Sequence, residues 1–339
     1  MAYTIRVANS EIIFRCEPGT TILDAAQAAG YEMPYSCRNG VCHNCRGHVT
    51  SGAYEGPRVE DGATLFCQAR PSGDLEIAPR TITKREPHAR KIIEATVYRL
   101  TRPVEDVVLL QLRFPAGTKV KFKAGQYLQV IFEDGKRRSF SMANPPQQND
   151  GAQLHVRLIP GGKFCESVVP RLVPGAKLRV ELPYGDFFLR EDSKPAIFVA
   201  SGTGFAPIKS ILEDAFRRGV TRAMVLYWGA RKRKDLYALE LPASWSARHA
   251  NFRFVPVLSE PDADWPGRIG FVHRAVMEDV KSLADHQVYA CGVSAMVEAA
   301  RRDFLGERGL PAGAFYCDAF VTPADRAVAQ GLPAPTNDP

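Results

Sequence analysis

Apolar and polar positions alternate from the first residues: Tyr3, Ile5 and Val7, then Ile12 and Phe14 after the turn Asn9–Ser10. A period of two puts successive side chains on opposite faces, so the stretch predicts a β-hairpin. Thr21-Ile-Leu-Asp24 then forms a capping box that opens a short helix, L-D-A-A-Q-A-A, stopped by Gly30. A further strand pair is expected at His48–Thr50 and Leu75–Ile77. Arg80–Lys91 is polar, basic and broken by Pro87, the composition of a linker. From Ile92 to Leu189 six strands follow, A-T-V-Y-R-L, V-V-L-L-Q-L, Y-L-Q-V-I-F, R-S-F-S-M-A, L-H-V-R-L-I and L-R-V-E-L, with Gly, Pro and Asp turns between them. Such spacing predicts an all-β barrel or sandwich. After Pro195 the pattern changes to continuous apolar strands, A-I-F-V-A-S, A-M-V-L-Y-W-G, F-R-F-V-P-V-L-S and H-Q-V-Y-A-C-G, separated by helical stretches. The first of these helices carries Ile208, Ile211, Leu212, Ala215 and Phe216 on one face and ends near Gly219. This is the pattern of an α/β domain with a parallel sheet. The Ala/Pro-rich residues from Pro323 onward read as a flexible tail.

The 339 residues are enough for two or three domains, and 45% hydrophobic with 24% charged residues is ordinary for a globular protein. No apolar run approaches the roughly 20 residues of a membrane span. The start M-A-Y-T-I-R-V lacks signal-peptide architecture. With eight cysteines and no export signal, a reducing cytoplasm is the expected compartment. The formal charge of +7 is mild, and its lysines and arginines are scattered. That distribution argues against nucleic acid and suits docking to an acidic protein partner.

The densest chemistry lies in Tyr35–Arg46, Y-S-C-R-N-G-V-C-H-N-C-R. Cys37, Cys42 and Cys45 are spaced C-x4-C-x2-C, and Cys67 closes an apolar run further on. That is the plant-type ligand spacing for a [2Fe–2S] cluster, in which each iron takes two thiolates beside the bridging sulfides. The loop must turn tightly to converge, and Gly40 supplies a residue that tolerates φ > 0. Zinc also suits four thiolates, although its sites usually pair two C-x2-4-C knuckles and Cys67 has no close partner. A thioredoxin-like pair, Cys42 and Cys45, leaves Cys37 unexplained.

Two further segments carry a weaker signal. Gly202-Thr203-Gly204-Phe205-Ala206-Pro207 joins a strand end to a helix start, where backbone N–H groups and the helix dipole can hold a diphosphate. It is neither the G-x-G-x-x-G fingerprint nor a Walker loop, and tight strand–helix turns also use glycine for packing alone. Arg138-Ser139-Phe140-Ser141 lies on a strand, Arg138 and Phe140 on one face and the serines on the other. It could hold a diphosphate, a planar ring and a ring nitrogen, or be an ordinary exposed strand.

The cluster loop resembles that of plant-type ferredoxins, with a shorter interval between Cys45 and Cys67 than most of them have. The whole ordered set of motifs, cluster loop, R-S-F-S-M-A-N-P-P, L-H-V-R, G-T-G-F-A-P, Y-W-G-A-R, Y-A-C-G and D-A-F-V, resembles the iron–sulfur flavoprotein reductases. These include the electron-transfer components of phenol hydroxylase and of benzoate and terephthalate dioxygenases, and CDP-6-deoxy-3,4-glucoseen reductase. The resemblance implies a β-grasp [2Fe–2S] ferredoxin domain over 1–84, an antiparallel β-barrel FAD domain over 90–190 and an α/β parallel-sheet NAD(P)H domain over 194–322, with a tail over 323–339. It implies Cys37, Cys42, Cys45 and Cys67 as cluster ligands, Arg138 and Ser139 in the flavin segment with Arg138 on the FAD diphosphate, Phe140 against the flavin or ribityl chain, and the Ser141 hydroxyl near flavin N5. In Gly162-Lys163-Phe164-Cys165 a thiol stands where the family has a hydroxyl for the same diphosphate; Cys165, backbone N–H groups or Ser167 would serve there. Gly202, Thr203 and Gly204 would form the nucleotide-diphosphate loop, Cys291-Gly292 would flank the nicotinamide, Arg231 would lie near the adenosine half, and Phe320 near the flavin. Read without the resemblance, Cys291 is a buried structural thiol and Phe320 a hydrophobic anchor.

Lys232-Arg233-Lys234 would favour a 2′-phosphate, whereas Asp235-Leu-Tyr is familiar from NADH-using relatives; NADH is the expected donor. The implied function is an oxidoreductase passing electrons from NAD(P)H through FAD and the cluster to a terminal oxygenase acting on aromatic rings, or to a deoxysugar dehydratase. The third reading is a zinc-stabilised nucleotide-binding module without redox activity. Arg38, Asn39 and His43, beside the cluster, are the expected partner contacts.

Overall fold

The computed structural model describes residues 2–38, 40, 42–59, 62–85, 90–159 and 164–321. The chain divides into two compact units, Met1–Ala89 and Arg90–Pro339.

In the first unit, β1 (Tyr3–Val7) and β2 (Ile13–Cys16) form the expected antiparallel hairpin, turned at Asn9 with φ +55°. Helix α1 (Ile22–Ala28) follows. Thr21 Oγ1 accepts the Asp24 N–H at 3.1 Å and donates to the Asp24 carboxylate at 2.8 Å, so Thr21 caps the helix as expected, while the Asp24 carboxylate meets the Thr21 hydroxyl in place of the backbone N–H of a full capping box. Strands β3 (Arg46–Ser51), β4 (Thr64–Leu65) and β5 (Leu75–Pro79) complete a mixed sheet in the order β2-β1-β5-β3-β4, with β1 and β5 parallel. Ile22, Leu23 and Ala26 of α1 are fully buried, as are Ile5 and Ile77 of the sheet. One helix laid on a mixed sheet is the β-grasp arrangement that the ferredoxin resemblance implies. The polar stretch after Pro79 is only partly a free linker. Thr83–Lys84 pairs antiparallel with Tyr31–Glu32, and the Arg85 N–H donates to the Gly30 carbonyl at 2.7 Å. Pairing through the backbone needs no apolar side chain, which is why composition alone points to a linker. Pro87 and the tail from Pro323 lie outside the described residues.

In the second unit six antiparallel strands come first: β6 (Lys91–Val104), β7 (Val107–Arg113), β8 (Tyr127–Ile131), β9 (Arg137–Ser141), β10 (Gly151–Arg157) and β11 (Lys177–Tyr184). Their order is β9-β8-β11-β6-β7-β10, and a bridge between Met142 and Leu154 joins the two edges into a barrel. Val97, Leu110, Leu128, Leu154 and Val180 fill its interior. A six-stranded parallel sheet follows: β12 (Ala196–Ser201), β13 (Met224–Ala230), β14 (Phe252–Leu258), β15 (Arg268–Ile269), β16 (Gln287–Val293) and β17 (Phe315–Phe320). It runs β15-β14-β13-β12-β16-β17 and is joined by α2 (Phe205–Arg217), α3 (Glu240–Arg248), α4 (Val272–Asp279) and α5 (Ser294–Arg308). The chain moves outward from β12 to β15 and then returns to β16. The strand order therefore reverses between β12 and β16, and a crevice opens at their carboxyl ends, where ligands of open α/β sheets bind. β15 and β17, the two edge strands, are the ones in this sheet that the hydrophobic pattern leaves unassigned. No helix among the described residues is long and apolar enough to cross a membrane.

Candidate functional site

Cys42, Cys45 and Cys67 are buried at 1%, 3% and 6% exposure, and Cys37 is half-buried. The loop that carries the first three turns through left-handed conformations at Arg38, Gly40 and His43, with φ +57°, +81° and +56°. Only Gly40 adopts this without strain, as the spacing predicts; at the other two positions surrounding contacts hold it. The Cys42 N–H donates to Cys37 Sγ at 3.3 Å, and the Gly40 N–H and the Gln68 amide donate to Cys67 Sγ. The Cys45 thiol hydrogen-bonds to Cys67, which pulls Cys67 down to about 7 and pushes Cys45 up. Cys42 and Cys67 thus lie close enough to Cys45 to act on its charge, and Cys37 and Cys67 already accept N–H donors, the kind of environment that a [2Fe–2S] cluster requires. The residues present fit that group. Arg38 sits differently from the expected partner contact: its guanidinium bonds Asp24 and Gln27 of α1 and lies 4.7 Å from the Tyr35 ring. It pins the cluster loop to the helix. Asn39 lies outside the described residues, and His43 is half-buried.

On β9 the expected alternation holds. Arg138 and Phe140 share one face, half-buried, while Ser139 is exposed and Ser141 buried on the other. The Phe140 ring lies 4.6 Å from that of Phe164. Gly162 and Lys163 lie outside the described residues. The Cys165 thiol accepts the Ile159 N–H at 3.4 Å and donates to the Arg157 carbonyl at 3.6 Å, so it is turned onto the end of β10; Ser167 is exposed.

Gly202-Thr203-Gly204 turns at the end of β12 with φ +51° at Gly202, and α2 begins at the next residue. The Gly202 carbonyl accepts the Trp228 indole N–H at 3.1 Å. A Cβ on Gly204 would lie 2.1 Å from the Cys291 carbonyl oxygen. One on Gly292, where φ is +146°, would lie 2.1 Å from Ser201 Oγ. These two glycines let β12 and β16 close on one another at the switch point, leaving backbone N–H groups and the α2 dipole facing the crevice. Arg231 is exposed at the end of β13, where its carbonyl accepts the Glu260 N–H. Phe320 ends β17, packed on the core of the sheet.

Cys291 is fully buried, and burial, with Asp318 adding to it, holds its thiol well above the ordinary range. Asp318 lies opposite Cys291 in the β16–β17 register, and its carboxylate is 3.5 Å from Ser141 Oγ. The barrel and the parallel sheet therefore meet at a hydroxyl, a carboxylate and a thiol. Asp318 is the residue that sequence reasoning misses; its signal is a lone acid in the otherwise apolar run F-Y-C-D-A-F.

Two β10 residues from the L-H-V-R motif, to which the sequence assigned no role, also reach this junction. Arg157 Nη1 bonds Asp106 at 3.1 Å, while its buried Nε has no hydrogen-bond partner among the described residues and lies 4.0 Å from where a Gly202 Cβ would be. His155 Nδ1 is 2.8 Å from the Tyr237 hydroxyl. Burial, with the Lys209 ammonium adding to it, pulls the His155 imidazole down to about 3. The unfolded chain protonates this group near 6.5 and the folded chain only near 3, so stability falls as the pH drops through that window. Its neighbours here are Tyr237, Lys209 and Phe205. Between about pH 7 and pH 5 the linkage amounts to about 2 kcal/mol. Urea unfolding of a His155→Gln variant is expected to show a pH dependence shallower by about that amount.

Three family models match the chain: the 2Fe-2S iron-sulfur cluster binding domain over residues 5–72, the oxidoreductase FAD-binding domain over 94–189 and the oxidoreductase NAD-binding domain over 198–302. The chain is 40% identical to the terephthalate 1,2-dioxygenase reductase component 2 of a Comamonas species, over 95% of its own length and 98% of the relative's. It is 36% identical to the CDP-6-deoxy-L-threo-D-glycero-4-hexulose-3-dehydrase reductase of Yersinia pseudotuberculosis, over 95% and 99% of the two chains. The crystal structure of the Amycolatopsis cytochrome P450 reductase GcoB superposes with a TM-score of 0.76 at 33% identity, covering 94% of this chain and 99% of that one. The first match decides the four-cysteine site in favour of iron–sulfur over zinc. A cluster site, a flavin barrel and a nucleotide sheet along one chain make this protein a member of the iron–sulfur flavoprotein reductase family, an NAD(P)H-dependent oxidoreductase with [2Fe–2S] and FAD cofactors.

Proposed function

We propose that this chain is the reductase component of an aromatic-ring oxygenase, drawing on NADH and passing electrons one at a time to the oxygenase. The observation that carries the reading is the meeting of Ser141 and Asp318, 3.5 Å apart, beside the Gly204–Cys291 contact. It brings the flavin segment and the nucleotide loop to one place. When bound, NAD(P)H supplies a hydride, FAD converts it to single electrons, and the cluster hands these on.

The chain's own residues hold and orient these groups. Arg138 holds the FAD diphosphate and Phe140 borders the flavin. The Ser141 hydroxyl, with Asp318 beside it, is placed to bond a ring nitrogen. Ser139, Gly162, Lys163 and Cys165 complete the flavin segment, Cys165 by bracing the end of β10. Gly202, Thr203 and Gly204 receive the nucleotide diphosphate through backbone N–H groups, and Arg157 faces it from the barrel. Cys291 and Gly292 wall the nicotinamide end, Arg231 lies by the adenosine end, and Phe320 closes the flavin side. Cys37, Cys42, Cys45 and Cys67 hold the cluster. In this reading 1–84, 90–190 and 194–322 are the ferredoxin, flavin and nucleotide domains, and the protein works in the cytoplasm, where the ligand thiols stay reduced.

The higher identity to the terephthalate dioxygenase component supports an oxygenase partner. The 36% identity to the dehydrase reductase, with the G-x-x-G-F-V-H stretch at Gly267–His273, supports a deoxysugar dehydratase as the second reading. The test is NADH-driven turnover with each candidate partner. Product from an aromatic dioxygenase, and none from the dehydratase, is the expected result; turnover of the dehydratase alone would overturn the first reading.

A further inference from the structure

Helix α2 carries the nucleotide loop at its start, and two of its residues reach across to the barrel. Lys209 is 8% exposed and Ser210 fully buried. Lys209 Nζ donates to the Ala143 carbonyl at 3.1 Å and to the Glu213 carboxylate at 2.8 Å. Ser210 Oγ donates to the Asn144 carbonyl at 2.7 Å. One turn further along, Asp214 accepts the Gln147 amide at 2.7 Å.

The acceptors are the two residues immediately past Met142, so they lie two and three positions beyond Ser141. That segment is braced from its other side as well. The Ala143 N–H donates to the Gln153 carbonyl at 2.7 Å, and the Asn144 side chain bonds the Gln153 N–H and the Gln148 carbonyl. The extension of β9 is thus fixed to β10 through the Ala143 N–H and the Asn144 side chain, and to α2 through its carbonyls.

A buried ammonium is an expensive way to pack two domains, since apolar residues of similar volume serve stability as well. What an ammonium and a hydroxyl add is direction, because each fixes a particular oxygen at a particular distance. We propose that Lys209 and Ser210 form a positioning latch that holds the nucleotide loop at a fixed distance and angle from the flavin-contacting Ser141. The latch sets the approach of nicotinamide to flavin and contributes little to the affinity of either. This rests on the proposed assignment of Gly202–Gly204 as the nucleotide loop.

The experiment compares a Lys209→Met/Glu213→Gln double variant, Ser210→Ala and the conservative Lys209→Arg with the parent holoprotein. It reads FAD content, NAD⁺ dissociation constant by calorimetry, long-wavelength charge-transfer absorbance on mixing with NADH, and the rate of flavin reduction. Without the latch, reduction is expected to slow by about tenfold to a hundredfold and the charge-transfer absorbance to fall. FAD content and NAD⁺ affinity stay within about twofold of the parent, and Lys209→Arg restores both readouts. Unchanged rate and absorbance overturn the latch. So does a joint loss of stability, FAD and NAD⁺ affinity in which the remaining holoprotein is reduced at the parent rate. Gly204→Ala in the same calorimetry separates the two assignments. Normal NAD⁺ binding contradicts the loop assignment and the latch with it. Lost binding supports the loop, and the latch then stands or falls with the rates and absorbance of its own variants.

Discussion

Replacing Cys45 with alanine is expected to remove the visible absorbance and the iron and sulfide of the cluster, and to abolish electron delivery to the partner. Cys45 is 3% exposed, and its thiol is hydrogen-bonded to Cys67 and lies near Cys42. With alanine there, one iron keeps a single thiolate and the pocket has no other sulfur within its loop to replace it. Residues 90–339 form their own compact unit, so FAD binding and NADH-driven reduction of ferricyanide should persist at nearly the parent rate. Iron and sulfide analysis, with parallel ferricyanide and partner assays, checks this. A parallel loss of both activities would show that the cluster pocket is needed by the flavin site as well.

Gly204→Ala should have the second-largest effect. The added Cβ would lie 2.1 Å from the Cys291 carbonyl oxygen, a backbone atom that cannot rotate away. The loop must therefore lift from β16 or the strands must part, at about 1–3 kcal/mol for an overpacked contact. Either change moves the N–H groups that we propose for the nucleotide diphosphate. Flavin reduction by NADH at fixed concentration is expected to slow by about a hundredfold. The clash falls on the backbone of the loop and of β16 and leaves the pairing of β9 with β8 untouched, so FAD content should hold. Stopped-flow reduction and the flavin spectrum of the purified variant read the two sides of that expectation.

Local chemistry was legible in the sequence wherever a residue's role depends on its neighbours along the chain. The helix N-cap at Thr21, the left-handed turn at Gly40, the alternation on β9 and the six barrel strands each follow from a period, a cap or a turn residue. What stayed hidden depends on partners far away. Arg38 looks like an exposed docking residue in the cluster loop, and only the fold shows Asp24 and Gln27 waiting for it. β17 reads as a terminal anchor because an edge strand of a parallel sheet is recognised by its neighbour, not its pattern. Asp318 became visible only once β17 was laid beside β16, within reach of a hydroxyl 177 residues earlier. The same holds for Lys209, an ordinary polar position on an amphipathic helix until its acceptor on the barrel is seen. Composition also read the stretch after Pro79 as a linker, since its pairing with Tyr31–Glu32 is made by backbone alone.

The whole mechanism depends on one chain taking electrons in pairs from a nicotinamide and releasing them singly through a cluster. An anaerobic reductive titration of the purified protein probes this, with flavin and cluster absorbance followed together. Uptake of three electrons per chain is expected, two by the flavin and one by the cluster, with NADH able to deliver them. Uptake of two with no cluster bleaching, or no reduction by NADH at all, would contradict it.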